Sequence, residues 1–238
     1  MGAYGGTAEA SRSYPFKNFQ EMLQGLLATI EGQSDEAPLI YKERGYLHFI
    51  MAPPGTHFAT DPDYRGTAEE AANWFQQRWR DLFVNPSNAV TFEVGRISTS
   101  GSYSTVRYHQ KYSGLEVYAA EMLIQVGSDG AVEAVTSDIE SDTSPLDRGE
   151  VSLTPSIGAA AAQERAITFF AERYKGTTLQ ASSPVLMIYA PSVLSKTGPI
   201  RLVWNMEVWS TSGATVGQRA LVDAHDGQVV HYFTLIPN

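Results

Sequence analysis

Residues 106–135 read VRYHQKYSGLEVYAAEMLIQVGSDGAVEAV and decide the fold of this chain. Polar and apolar residues alternate through most of the stretch, which is typical of strands that bury one face. Ser113-Gly114 and Ser128-Asp129-Gly130 interrupt the alternation and are typical of hairpin turns. The stretch therefore predicts an antiparallel meander with strands near 103–112, 115–126 and 131–137.

The part of the chain before this meander predicts two helices and three strands. Apolar residues from Phe19 to Ile30 recur at spacings of three and four, which predicts a helix over about 16–31. Thr67 and Glu70 form the pattern of a capping box, which predicts a second helix that ends before Asn85-Pro86. We expect the strands of this part near 38–42, 46–51 and 90–97.

The C-terminal part repeats this plan. Thr154 is the expected cap of a third helix, Pro155 falls in its first turn, and Gly176 lies just beyond its end. Asp226-Gly227 is typical of the turn of a final hairpin. We expect further strands near 184–190, 200–209, 216–223 and 228–235.

An acidic segment, DIESDTSPLDRGE at 138–150, lies between the two parts, and Arg148 is its one base. Its charge predicts a solvated linker, and its acids do not have the spacing of an EF-hand calcium loop. We therefore expect an α+β chain of two tandem domains, each a helix packed on a curved antiparallel sheet, plus an N-terminal helix. The expected bounds are 1–13 for a flexible leader, 14–137 for the N-terminal helix and first domain, 138–150 for the acidic linker, and 151–238 for the second domain.

The composition excludes several classes of function. The chain has 238 residues, 43% of them hydrophobic, a formal net charge of −9 and no cysteine. The acidic balance argues against nucleic acid as a partner, and the missing cysteine excludes disulfides, thiolate metal sites and cysteine nucleophiles. The sequence has no run of 18 apolar residues that could form a membrane span.

The meander carries a longer signature, which fits the pattern R-[YF]-x-Q-x-Y-x-G-[LI]-x-V-[YF] without a gap. The matching residues are Arg107, Tyr108, Gln110, Tyr112, Gly114, Leu115, Val117 and Tyr118, and Asp129-Gly130 follows. In these residues the chain resembles the propeptide domain of zinc metalloproteases of the fungalysin and thermolysin type. Glu116 departs from the pattern, since many relatives have proline there.

A second signature, LVDAHDGQVVHYF, occupies residues 221–233. Its Val222, Asp223, Ala224, Gly227 and Val229 fit V-D-A-x-x-G-x-[VI], and in these residues the chain is similar to the end of a PepSY domain. The two resemblances together cover about residues 38–238. They imply two cystatin-like α+β domains in tandem.

The resemblance implies a non-catalytic prosegment of a secreted zinc metalloprotease. Such a prosegment acts as an intramolecular chaperone and as an inhibitor of the protease domain, and it needs no cofactor or metal. The expected partner is the cognate protease domain, which would begin shortly after Asn238 and carry the zinc-binding H-E-x-x-H pattern. The histidines of this chain lack the i, i+3 or i, i+4 spacing of a helical metal site.

The signature residues have two interpretations. Arg107, Tyr108, Gln110 and Tyr112 either form a surface that docks on the protease or satisfy and pack the fold itself. Gly114, Val117, Asp223 and Gly227 are further family-motif candidates.

The apolar end of the chain also has two interpretations. Thr234, Leu235, Ile236, Pro237 and Asn238 form a tail that either lies extended in the protease cleft or merely ends the last strand.

A second hypothesis comes from a different class of protein. The two domains would then form a free-standing extracellular module that inhibits a protease in trans or associates with itself as a structural subunit. The amphipathic helix at 16–31 and the aromatic content of 11% suit self-association. A size measurement in solution separates the two hypotheses.

Overall fold

A computed structural model describes residues 18–30, 34–58, 63–64 and 66–236 of the chain. The expected flexible leader at 1–13 lies outside the described residues, as do Pro237 and Asn238. The helices are α1 (Phe19–Leu27), α2 (Ala68–Trp79), α3 (Ser144–Asp147) and α4 (Ala159–Ala171), with 3-10 turns at Ala28–Ile30, Arg80–Leu82 and Pro191–Leu194.

The strands are β1 (Leu39–Glu43), β2 (Tyr46–Met51), β3 (Val90–Ser100), β4 (Tyr103–Tyr112), β5 (Leu115–Gly127), β6 (Val132–Asp138), β7 (Thr178–Ala181), β8 (Val185–Tyr189), β9 (Arg201–Ser212), β10 (Gly217–Asp223) and β11 (Val229–Thr234). They form one sheet in the order β1-β2-β6-β5-β8-β9-β10-β11, to which β4 attaches at β5, β3 at β4 and β7 at β9. The α+β class is therefore confirmed. The division into two cystatin-like domains at 138–150 stays a prediction.

The N-terminal helices form where their sequence patterns predict. Glu70 N donates to the Thr67 side chain at 3.2 Å, so Thr67 caps α2 as expected. Phe75 and Trp79 of α2 are buried against the sheet, at 0% and 2% exposure. In α1 the predicted apolar stripe is buried at Met22, Leu23, Leu26 and the following Ile30.

The third predicted helix begins later than its sequence pattern indicates. Its N-cap is Gly158 rather than Thr154, and α4 starts at Ala159. The amides of Ser156 and Ile157 both donate to the Ala224 carbonyl, at 2.8 and 3.0 Å. This long-range pairing holds the preceding segment out of the helix, and local capping rules do not include it. Strand β7 is a further element that the sequence patterns did not predict.

The acidic segment 138–150 is packed rather than solvated at several positions. Glu140 is 2% exposed, Thr143 0% and Leu146 6%. The expectation of a solvated linker is wrong for these residues, because hydrogen bonds to Asn85 and to other distant groups satisfy their polar atoms. Short helix α3 forms within this segment.

Strand β5 changes its partner along its length. It pairs with β4 at Leu115–Glu116 and again from Glu121 onward. Between these points Val117 forms a single parallel pair with Ile188 of β8. Ala119 in this excursion has a φ of 60°, in the left-handed region that costs L-residues energy. The excursion is what joins the two parts of the sheet.

The helices lie on one side of this sheet. Val117 and Ile188 belong to the same core as Phe75 of α2. Ile188 pairs with Leu202 in β9, and Trp204, two residues further on, packs in the core that α4 covers. Because residues two apart share a face of a strand, α2 and α4 cover the same side of the sheet.

Candidate functional site

Strand β4 divides the signature residues between the two faces of the sheet. Tyr108, Gln110 and Tyr112 face the helices and are buried, at 1%, 0% and 5% exposure. Arg107 lies on the opposite face, where its guanidinium donates to the Glu121 carboxylate. The signature therefore encodes a strand with one buried polar side and one charged outer side.

Gln110 completes the sheet at the point where β5 leaves β4. Its Nε2 donates to the backbone oxygen of Glu140 at 2.8 Å, and its Oε1 accepts from the Glu140 amide at 2.9 Å. The side-chain amide thus makes the pair of bonds that a neighbouring strand would otherwise provide. Gln110 serves the structure in this arrangement, and its amide is not available to a partner.

The two signature tyrosines end in hydrogen bonds to distant elements. Tyr108 Oη donates to Asn73 Oδ1 of α2 at 2.8 Å, and Tyr112 Oη donates to Asp147 Oδ1 of α3 at 3.0 Å. Burial and then the negative charge of Glu69 raise the pKa of Tyr108. Burial, followed by the bond to Asp147 and its charge, raises the pKa of Tyr112 to about 12. Both hydroxyls are therefore protonated donors at neutral pH.

A buried carboxylate, Glu140, joins the two parts of the chain. It accepts from Arg44 Nη1, at 3.2 and 3.4 Å to its two oxygens, and from the Asp142 amide at 2.9 Å. Ser192 Oγ, from the 3-10 turn after β8, donates to its other side. Sequence reasoning missed Glu140, Arg44 and Ser192 as a group, since nothing in the local pattern distinguishes this acid from its neighbours in the acidic segment.

The remaining residues of the first signature shape the backbone. Gly114 has a φ of 80° and Ser113 a φ of 49°, which form the two-residue turn between β4 and β5. Val117 is 1% exposed and makes the parallel pair with Ile188. Neither Gly114 nor Val117 therefore offers a functional group to a partner.

Asp223 of the second signature organises the last hairpin. Its carboxylate accepts from Arg201 Nη1 at 2.6 Å and from the amides of His225 and Asp226 at 2.8 and 3.2 Å. Burial acts to raise the pKa of Asp223, but these hydrogen bonds and the Arg201 charge outweigh it, so the pKa is lowered. Gly227 closes the turn with a φ of 78°, and its amide donates to the Asp223 carbonyl at 3.0 Å.

The predicted tail begins inside the sheet. Thr234 is the last residue of β11, and the Leu235 amide still donates to the Gly217 carbonyl of β10 at 2.8 Å. Leu235 and Ile236 are 40% and 36% exposed. The remainder of the tail, Pro237 and Asn238, lies outside the described residues.

The sheet face opposite the helices carries most of the exposed large apolar side chains. Pairing registers assign each residue to a face, because directly opposed residues point to the same side. We call this surface the helix-free face, and its exposed apolar members are Leu39 (57%), Tyr41 (56%), Tyr103 (37%), Val185 (58%), Trp209 (38%), Phe233 (39%) and Leu235 (40%). Apolar surface of this kind is typical of an interaction site.

The described residues contain no group of three or more His, Cys, Asp or Glu side chains that could hold a metal ion. None of the described helices is long and apolar enough to cross a membrane.

Comparison with known proteins bears on the strands that carry the first signature. Residues 96–139 match the family model described as Fungalysin/Thermolysin Propeptide Motif. This match covers β4, β5 and β6, and it confirms the resemblance drawn from the first signature. The PepSY resemblance of the second signature stays a prediction.

Other comparisons add little. No curated protein matches the chain. A solved structure, the Bacillus megaterium YpeB C-terminal domain, aligns over 92% of this chain and 96% of its own length, with a TM-score of 0.38 and 10% identity. That likeness is too low to support an argument about function.

Proposed function

We propose that this chain is the non-catalytic prosegment of a secreted, thermolysin-like zinc metalloprotease, and that it acts as intramolecular chaperone and inhibitor of the protease domain. The observation that carries the proposal is the match of residues 96–139 to the propeptide motif. In this proposal residues 151–238 form a PepSY domain behind the first domain. The chain requires no cofactor, because its action is binding.

The helix-free face is the surface that we assign to the protease domain. It combines exposed aliphatic side chains with exposed aromatic ones, and tyrosine and tryptophan are among the residues that supply most of the energy of protein interfaces. Buried signature residues such as Gln110 and Tyr108 would then act indirectly, because they hold the strands that display this face. A preformed sheet of this kind can template an enzyme domain that folds against it.

The tail has a separate role in the proposal. Because Thr234 belongs to β11, the tail that we assign to the protease cleft is 235–238, and Leu235 would give up its bond to the Gly217 carbonyl on entering the cleft. An extended peptide in a cleft is held by main-chain hydrogen bonds and side-chain pockets. Residues 235–238 would block the active site in this way, while the helix-free face supplies the affinity.

The first test reads the source gene beyond the codon for Asn238. A continuing frame that encodes H-E-x-x-H identifies the protease domain, which is then refolded with and without this chain in trans. We expect the chain to raise the yield of active enzyme and then to inhibit it. A stop codon after Asn238 would reject the role in cis.

A pair of matched variants tests the assigned surface. Tyr41→Lys places a charge on the helix-free face, whereas Ile97→Lys changes an exposed residue, 42% exposed, on the helix side. We expect Tyr41→Lys to weaken inhibition about tenfold or more and Ile97→Lys to leave it unchanged. Equal effects of the two variants would contradict the assignment. Inhibition that survives deletion of residues 235–238 would contradict the role of the tail.

A further inference from the structure

Strand β11 forms one edge of the sheet. It pairs antiparallel with β10, and no other described strand pairs with it. The Leu235 amide extends this pairing one residue past the strand, with its bond to the Gly217 carbonyl. The opposite edge of β11 is therefore open along the described end of the chain.

The direction of the open hydrogen-bonding groups follows from this bond. In an antiparallel ladder, alternate residues direct their N–H and C=O groups towards the same neighbour. Since the backbone groups of Leu235 are directed towards β10, those of Phe233 are too. The backbone N–H and C=O groups of Tyr232 and Thr234 are therefore directed away from β10, towards the open edge. The outer edge thus presents the amides and carbonyls of Tyr232 and Thr234 to a further strand.

The composition of this edge favours pairing. Natural edge strands are commonly protected by proline, lysine or a bulge. Residues 229–236, VVHYFTLI, contain no proline and no Asp, Glu, Lys or Arg. Tyr232 and Phe233 are 44% and 39% exposed. The one bulge of β11 lies at its start, opposite Leu221 and Val222, and leaves the end of the strand regular.

Strands β1 and β3, which also lie at edges of the sheet, are better protected. Pro38 immediately precedes β1, which also carries Lys42 and Glu43. Strand β3 has a bulge next to Gly95 and the exposed Arg96. Of β1, β3 and β11, β11 is therefore the one that resists association least.

We propose that a second copy of this chain pairs antiparallel along β11, with Tyr232 opposite the Tyr232 of that copy. Residues 231–233 are self-complementary in this register, and Thr234 lies opposite Val230, the residue at the bulge. The register sets His231 opposite Phe233 of the second copy. Cross-strand aromatic pairs of this kind stabilise sheets.

Within β11 itself, no formal charge opposes this pairing. No ionised carboxylate, lysine or arginine of β11 meets its own copy in this register. Burial, and then the charge of Lys196, lower the pKa of His231, so the ring is neutral at neutral pH. On the helix side, Arg173 lies over the Phe169 ring at 3.6 Å and near the Tyr232 ring at 5.5 Å. A second Tyr232 ring would extend this aromatic surface.

Sedimentation of the full chain over a wide range of concentration tests the association, and hydrogen exchange locates it. We expect a reversible dimer in which the amides of Tyr232 and Thr234 become protected as concentration rises. The amides of Phe233 and Leu235, which bond to β10, should be protected at every concentration. Protection that rises instead along β1 would overturn the proposal, as would a monomer at all concentrations.

Two variants at one position test the edge itself. Thr234→Pro removes an outward amide that the monomer does not use, and Thr234→Lys places a charge at the same point. We expect both to remain monomeric, with a melting temperature lowered only slightly by the loss of the Thr234 hydroxyl that bonds the Ile236 amide at 3.2 Å, while the control Leu39→Lys at the β1 edge still dimerises. A dimer that survives both Thr234 variants would refute the pairing. The proposal does not depend on the prosegment role, and a dimer formed through β11 would mean that size in solution no longer separates that role from the free-standing module.

Discussion

Replacement of Gln110 by leucine is the sharpest test of how the signature builds the fold. Leucine has a similar size but can neither donate to the Glu140 carbonyl nor accept from its amide, at present 2.8 and 2.9 Å from the glutamine. A buried backbone group left without a partner costs about 1–3 kcal/mol. Gln110 is fully buried, so the loss of both bonds should lower the free energy of unfolding by roughly 2–6 kcal/mol.

Urea denaturation followed by tryptophan fluorescence and circular dichroism measures this change. Gln125→Leu is the matched control, because Gln125 is a partly buried glutamine on β5 that bonds only the Glu133 carboxylate, at 3.1 Å. We expect that control to change stability by less than about 1 kcal/mol. A Gln110→Leu variant as stable as the Gln125→Leu variant would refute the reasoning, since it would mean that Glu140 finds other partners without cost.

Two further predictions concern single positions. Ala119→Gly should leave stability unchanged or raise it by up to about 1 kcal/mol, because it removes a side chain from a left-handed conformation. Gly114→Ala should lower stability by about 1 kcal/mol, because it places a side chain in such a conformation. Thermal unfolding of the two variants measures both changes. Asp223→Asn should reduce the dependence of the free energy of unfolding on pH in the acid range. The lowered pKa of Asp223 means that its contribution is present above the ordinary carboxyl range and is lost as pH falls through the folded-state pKa. Urea unfolding at a series of pH values measures this, and an unchanged curve in the variant would contradict it.

Some of the fold could be predicted because the responsible rules are local. The Thr67 cap of α2 and the Ser113-Gly114 turn depend on residues within one turn of chain, and the structure has both. The start of α4 could not be predicted, because the bonds from Ser156 and Ile157 to Ala224 join residues 68 and 67 positions apart in the chain. Strand β7 is only four residues long and has no clear pattern of its own.

For the candidate site the same division holds. The sequence named Tyr108, Gln110 and Tyr112 as a unit, through their alternation in one strand, but not what they bond. Gln110 and Glu140 are 30 residues apart, and the structure brings them together only because β5 leaves β4 between them.

By itself, the sequence determined the alternating strands, the turns between them, the capped helix α2 and the likeness to a protease prosegment. The tertiary structure decided which face of the sheet stays free of helices, which strands form its edges, and that the acidic segment is packed around Glu140. The physical reason is the separation in sequence over which each kind of interaction acts. Periodicity and turn chemistry act between neighbours in the chain, whereas burial and strand order are set by contacts between residues far apart in sequence.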